Sequence, residues 1–331
     1  MTSETVIQTP TLPPKPVPEM DAIITTHNLT KAFGQEVAVR DVSFQVPRGQ
    51  IFGFIGPSGS GKTTTIRMLT GFYPPTSGEA YVFGSAPTKF TKGQRGRIGY
   101  MPQLFVMYPN LSVWENLNFS ASIYGMSWFS RRRKLREMLE FVELREHKDK
   151  LARDVSGGMQ RRLSLASTLI HDPELIFLDE PTAGIDPVLR SKIWDRFREL
   201  RDAGRTLFVT TQYVSEAAYC DLVGVISESQ LIAVDTPDGL RHRAFGGDIV
   251  ALTTTERLDY RQESEMVRLP FIVGRVTRTG PQGLRMVVDD AATAIPALMN
   301  WGQEHNIAIQ SIEEYQPPFD DVFVELVQEE E

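Results

Sequence analysis

At 331 residues the chain is long for one domain and large enough to bury a proper core, so a main domain with an appendage is expected. Lys and Arg number 35 against 42 Asp and Glu, a net charge of −7 that gives no electrostatic reason to expect a nucleic-acid partner. No apolar run approaches the ~20 residues of a membrane-spanning helix, and the start lacks the basic-then-apolar pattern of a signal peptide. A cytoplasmic protein is therefore expected, with any membrane role exercised through a partner. The single cysteine, Cys220, cannot close an internal disulfide and reads as a small buried hydrophobe in a reducing compartment.

Residues 1–21 read as a tail. Pro10, Pro13, Pro14, Pro16 and Pro18 strip out backbone donors and build no core, which predicts a disordered or extended segment. From Ala22 the pattern changes, and Val42, Phe44 and Val46 alternate with Ser43 and Gln45 as in a half-buried strand, closed by a turn at Pro47 and Gly49. Short apolar runs at Ile51 to Ile55, Leu175 to Leu178 and Leu207 to Val209 each precede loop residues and then a helical pattern. They predict a parallel sheet with crossover helices. One such helix places Ile193, Phe197 and Leu200 on one face and stops at Gly204.

Between Leu111 and Ile170 helical patterns follow one another (Leu135, Met138, Leu139, Val142) without a strand, marking a helical insertion at about 104–165 in a main domain of 22–244. Its run Arg131 to Lys134 reads as a solvated helix face, with contact to acidic lipid headgroups as the alternative. Past Gly246 and Gly247, residues 245–331 read as a small α+β unit. Leu284, Met286 and Val288, then Ile307 and Ile309, look like strands; Ile295, Leu298, Met299 and Gly302 form one helix face; Phe319, Val322, Phe323 and Leu326 make a last amphipathic stretch. Nothing in it looks catalytic.

The strongest chemical signal is Gly56-Pro57-Ser58-Gly59-Ser60-Gly61-Lys62-Thr63, followed by Thr64, between the strand at Ile51 to Ile55 and a helical stretch with Ile66, Met68 and Leu69. This is a phosphate-binding loop in its strand–loop–helix setting. Glycines let backbone N–H groups turn inward, the helix N-terminus adds its dipole, Lys62 reaches β and γ phosphates, and Thr63 offers a hydroxyl to Mg²⁺. The second signal is Leu175-Ile176-Phe177-Leu178-Asp179-Glu180-Pro181, an apolar strand ending in paired acids. Asp179 suits a Mg²⁺ held through water, and Glu180 is placed to take a proton from an attacking water. Between them lies Val155-Ser156-Gly157-Gly158-Met159-Gln160-Arg161-Arg162. Ser156, Gly157 and Gly158 open a helix with the apolar stripe Met159, Leu163, Ala166 and Ile170, leaving N–H groups at a positive helix end.

With these three motifs in this order, the sequence over about 22–240 resembles the ATPases of ABC transporters. The fold implied is a P-loop ABC cassette, with a parallel-sheet core, an antiparallel β subdomain and a helical subdomain, followed here by the small α+β unit. The resemblance implies ATP and Mg²⁺ as ligands, Phe33 as the ring that stacks on adenine, Gln103 as the glutamine that senses Mg²⁺ and the permease, and Ala183 to Asp186 as the segment between the Walker B acids and the next helix. It implies that two copies pair head to tail, the P-loop of one and Ser156 of the other enclosing one ATP, while separate integral-membrane permease subunits hold the pair at the inner face of the membrane. Two positions depart from the pattern. Met159 stands where glutamine is common, and Gln212 where a histidine usually meets the γ-phosphate; its amide can donate that hydrogen bond without carrying an imidazolium charge. Phe319 to Leu326 resembles the C-terminal extension of bacterial exporters of drugs, antibiotics, polysaccharides and lipids. A non-transport ABC ATPase acting on DNA or ribosomes is the alternative from another class, disfavoured by a single cassette, one cysteine and no sustained heptads. A binding module without hydrolysis is disfavoured by Lys62, Asp179 and Glu180.

Overall fold

The computed structural model describes residues 22–328; the segment read as a tail, 1–21, lies outside the described residues. In chain order, β1 (Ala22–Phe33), β2 (Glu36–Pro47) and β3 (Ile51–Ile55) lead into α1 (Lys62–Leu69). β4 (Ser77–Val82), the single turn α2 (Lys92–Arg95) and β5 (Ile98–Met101) precede three helices, α3 (Val113–Ile123), α4 (Trp128–Phe141) and α5 (Gly157–Leu169). β6 (Leu175–Asp179), α6 (Pro187–Asp202), β7 (Thr206–Thr211), β8 (Leu222–Ser227), β9 (Gln230–Asp235) and α7 (Pro237–Phe245) follow. The last part holds β10 (Asp248–Thr254), α8 (Tyr260–Met266), β11 (Ile272–Arg278), β12 (Gly283–Val288), α9 (Ala291–Glu304), β13 (Ile309–Glu314) and α10 (Phe319–Gln328).

The central sheet has strand order β5-β6-β7-β3-β8-β9, parallel except for the β8–β9 hairpin at its edge. Its strands read as unbroken apolar runs because both faces are covered. Phe52, Phe54, Phe177 and Phe208 point to one side and meet Phe44, Ile66 and Leu69. Ile51, Ile55, Ile176, Leu178, Leu207 and Val209 point to the other and meet Leu163, Trp194 and Phe197. The aromatic layer is closely packed, with ring centroids 5.3 Å apart for Phe44 and Phe52 and 5.2 Å for Phe52 and Phe208. A fully buried side chain of this size contributes about 1.5–3 kcal/mol over an exposed one, so this layer anchors the strand from which the Gly-rich loop departs.

An antiparallel sheet β2-β1-β4 covers the aromatic side. Residues 113–169 supply the helices expected of an insertion, and α3 and α4 open on Ser112 and Ser127 as N-caps. The C-terminal sheet, β11-β12-β10-β13, is antiparallel and builds a separate core with α8 and α9. On α9 the buried face is Ala291, Ala294, Leu298, Trp301 and Gly302, while Met299 is exposed, so the helix is rotated from the face that the sequence suggested, towards its one tryptophan. Ile307, read as strand, falls in the turn before β13, where Asn306 has φ +54°. α10, which sequence grouped with this unit, buries Phe319, Val322 and Leu326 against Ile55, Val223, Val225 and Leu240 of the main domain.

Candidate active site

The Gly-rich loop leaves β3 at the carboxyl ends of the parallel strands, where open α/β sheets place their ligands. Gly56 donates its backbone N–H to Thr211 O at 3.3 Å, and a Cβ there would stand 2.0 Å from Ile226 O. Gly61, the N-cap of α1, has φ +103°, and a Cβ on it would meet Ala38 O at 2.4 Å. Both positions demand glycine, one for close approach and one for a left-handed backbone. With no side chain capping α1, its first N–H groups face outward at the positive end of the helix dipole.

Lys62 is 5% exposed, and its ammonium donates to Gly56 O at 2.8 Å and Pro57 O at 2.7 Å. Burial pushes its pKa down, while Glu180 and Asp179 pull it back up. Thr63 Oγ1 donates to Asp179 Oδ1 at 3.1 Å, and Thr210 Oγ1 donates to the same oxygen at 2.7 Å. Asp179 is wholly buried, yet its Oδ2 has no hydrogen-bond partner, and neither has Ser60 Oγ in the loop. Two buried polar atoms left bare beside a lysine and a helix N-terminus fit a cation-bearing phosphate ligand, since leaving a buried acceptor unpaired costs about 1–3 kcal/mol.

Glu180 follows at the strand end with φ +49°, a conformation that costs a non-glycine residue about 1–3 kcal/mol. It is held there from both sides. Its N–H donates to Thr210 O and Oγ1, each at 3.1 Å, and its carbonyl accepts from Arg161. Gln103 Nε2 donates to Glu180 Oε2 at 3.1 Å, so the loop after β5 touches the carboxylate directly. The structure thus brings together Lys62, Thr63, Asp179, Glu180 and Gln103.

The other sequence-predicted residues sit around this cluster without bonding to it. Gln212 is exposed at the end of β7; Ile55 pairs with its neighbour Thr211 in register, so Gln212 lies at the same sheet edge as the loop. Phe33, 46% exposed, makes an edge-on contact with Tyr73 at 5.4 Å, and Lys31 Nζ lies 5.2 Å from its ring centre. Ser156 is exposed as the N-cap of α5, its Oγ accepting from Met159 N at 3.3 Å, and Gly157 beside it is exposed too. Gly158 has open space around it, apart from Leu189 at 3.9 Å.

Three residues that sequence reasoning passed over belong to the arrangement. Arg161, quoted within the glycine string but given no task, donates to the carbonyls of Pro102, Gln103, Asp179 and Glu180, tying α5 to both acidic-site loops. Burial lowers its pKa, and Asp179 and Glu180 offset that. Thr210 bridges the carboxylate and the backbone of the acidic pair. Glu216, 1% exposed, accepts from Thr182 Oγ1 at 2.7 Å and lies 3.6 Å from Arg190, joining the turn after Gln212 to the segment after Glu180.

A family model described as ABC transporter matches residues 39–183. The chain is 33% identical over 310 residues to the linearmycin resistance ATP-binding protein LnrL of Bacillus subtilis, covering 92% of this chain and 98% of that protein. It is 39% identical over 236 residues to the Nod factor export ATP-binding protein I of Cupriavidus pinatubonensis, covering 71% and 73%. With the probable multidrug ABC transporter ATP-binding protein YbhF of Escherichia coli K12 it shares 39% identity over 221 residues, which is 67% of this chain and 38% of that relative's length. Among solved structures it is similar to an ATP-binding subunit of an ABC transporter, with TM-score 0.61 and 26% identity over 67% of this chain and 92% of that one. It is similar also to an ATP-binding cassette solved as a post-hydrolysis dimer with ADP and Pi, with TM-score 0.60 and 26% identity over 64% and 98%.

Proposed function

Because the chain belongs to the ABC transporter ATP-binding proteins, we propose that it hydrolyses ATP as the motor of an exporter, pairing head to tail with a second copy and driving separate integral-membrane permease subunits. The observation that carries this reading is the cluster of Lys62, Thr63, Asp179, Glu180 and Gln103 at one sheet edge, with Asp179 Oδ2 and Ser60 Oγ bare. Backbone N–H groups at the end of the loop Gly56–Thr64 and in the first turn of α1, with the Lys62 ammonium, bind the phosphates, and Phe33 stacks on the base. Thr63, Asp179 and Gln103 would hold Mg²⁺, which supplies charge neutralisation across the β and γ phosphates. Glu180, oriented by the Gln103 amide and by its own constrained backbone, accepts the proton of the attacking water, while Gln212 donates to the γ-phosphate.

Ser156 and Gly157 are exposed, Gly158 is half-buried, and all three are untouched by their own chain's phosphate loop, which supports their use by the partner copy. Leu104, Val106 and Tyr108, 76%, 60% and 52% exposed next to Gln103, support a permease contact on the loop that reaches Glu180. Export is supported by the name of the Nod factor export protein, and a place on the inner face of the membrane follows from the permease. The test is Glu180→Gln with ATP and Mg²⁺, by size-exclusion chromatography and phosphate release. Retained binding, a stable dimer and almost no phosphate are expected. A variant that releases phosphate at the parental rate would remove Glu180 from the mechanism, and one that stays monomeric even beside the permease would remove the head-to-tail pair.

A further inference from the structure

We propose that the first turns of α4 are a membrane contact of this chain's own, a patch that takes anionic phospholipid headgroups without the permease. α4 carries Arg131, Arg132, Arg133, Lys134 and Arg136 against Glu137 and Glu140 only. Among the described residues, Arg133 pairs with Glu137 at 3.4 Å, and Arg131, Arg132, Lys134 and Arg136 have no carboxylate within ion-pair distance. Arg131 is turned inward onto Asn118, Ser122 and Met126 O, all neutral acceptors, so it adds its charge without being neutralised. Trp128, Arg132 and Arg136, spaced by four residues, form a ridge along the edge of the buried Leu135–Leu139 stripe and line a cleft there with Asn118 and Leu139.

This face also gathers exposed apolar side chains beside its cations. Phe129 is 93% exposed, Ile123 67% and Trp128 61%, with the Arg132 guanidinium 5.3 Å from the Trp128 ring. Arg145 and Lys148 extend the same cleft, although Glu140 and Asp149 already answer them. Aromatic rings interleaved with cations at the positive end of a helix are the composition that the interface of a bilayer selects. The rings enter the headgroup layer, and the cations meet phosphate and carboxylate charge. Phe129 rests on nothing in this chain, which favours a soft, laterally continuous surface over a shaped protein groove.

The experiment is sedimentation of the full chain, without permease, with vesicles of phosphatidylcholine and with vesicles of equal parts phosphatidylcholine and phosphatidylglycerol, at low and high salt. Binding to the anionic vesicles alone, lost at high salt, is expected. A cation at such a surface is worth about fivefold, so Arg132→Gln with Arg136→Gln should weaken binding about 25-fold, with basal ATPase and thermal unfolding as in the parent. Phe129→Ser, at a side chain 93% exposed, should weaken the low-salt binding about tenfold. Equal sedimentation with neutral vesicles, or variants that bind like the parent, would overturn the proposal. So would a parent that ignores both vesicles while the double variant loses a co-purifying permease, which would assign the patch to an acidic protein surface.

Discussion

Arg161 is where the geometry makes its sharpest demand. Its guanidinium reaches the carbonyls of Pro102 and Gln103 on one loop and of Asp179 and Glu180 on another, and it holds the Glu180 backbone at φ +49° from the carbonyl side. Arg161→Met removes these bonds and frees that strain. A hydrogen bond from a charged donor is worth about 1.5–3 kcal/mol, but Arg161 is partly exposed and the Gln103 carbonyl reaches water, so a net loss of about 2–4 kcal/mol is expected. In a domain of this size that lowers the unfolding midpoint by roughly 5–10 °C. The kinetic signature should be distinct. With Glu180 and Gln103 no longer held together, kcat should fall about 100-fold, the scale of a misplacement near 1 Å. KM for ATP should change little, because the loop at Lys62 makes no bond with Arg161. Arg161→Lys keeps the cation without the planar fork and should fall between the two. Steady-state ATPase assays beside thermal unfolding read both quantities. A Met variant that melts and turns over like the parent would refute the claim that α5 positions the acidic pair.

Three further outcomes are expected. His171, stacked on Tyr124 with ring centres 3.5 Å apart and bonded through Nε2 to Ile98 O, is held by burial below its ordinary 6.5. Its neutral form is thus favoured on folding, so the unfolded chain binds the extra proton first and stability is lost as pH falls below 6.5; His171→Gln should flatten that part of a urea-unfolding series. Leu326→Ala should cost about 2–4 kcal/mol and expose the α7 region to proteolysis, because α10 packs into the main-domain core; an unchanged urea midpoint would show the helix to be dispensable. Gln212→Ala should lower turnover, while Gln212→His should hold or raise it and add a pH dependence between about 6 and 7; an alanine variant with parental kcat at saturating ATP would end the phosphate role.

What was legible in the sequence was what repeats along the chain. β3, β6 and β7 are apolar on both faces, so their runs stand out, and α6 and the helices of 113–169 show the helical period. β1, β10 and the β8–β9 hairpin were not legible. β1 mixes Thr26, His27, Asn28 and Thr30 into a strand whose pairing with β2 shifts register several times, which breaks the alternation that a pattern reading needs. β10 alternates Val250, Leu252 and Thr254 inward with partly exposed residues, a weak signal that only its two neighbours complete. α10 reads as an amphipathic helix correctly, but nothing local says which of two cores its apolar face will join.

The same division runs through the candidate site and explains its omissions. Residues that meet a ligand obey spacing rules imposed by that ligand, so the proposed contacts Lys62, Thr63, Asp179 and Glu180 stand out in the sequence. Residues that hold those residues obey only the geometry of the folded chain. Thr210 is one more β-branched residue in a buried strand until its hydroxyl is seen on Asp179, and Glu216 reads as a surface acid until burial leaves it 1% exposed between Thr182 and Arg190. A buried carboxylate is costly unless both partners stay in place, because breaking such a set leaves an uncompensated charge. Glu216 therefore joins the turn that follows Gln212 to the segment that follows Glu180, and links the position of the proposed γ-phosphate donor to that of the proposed base while touching neither.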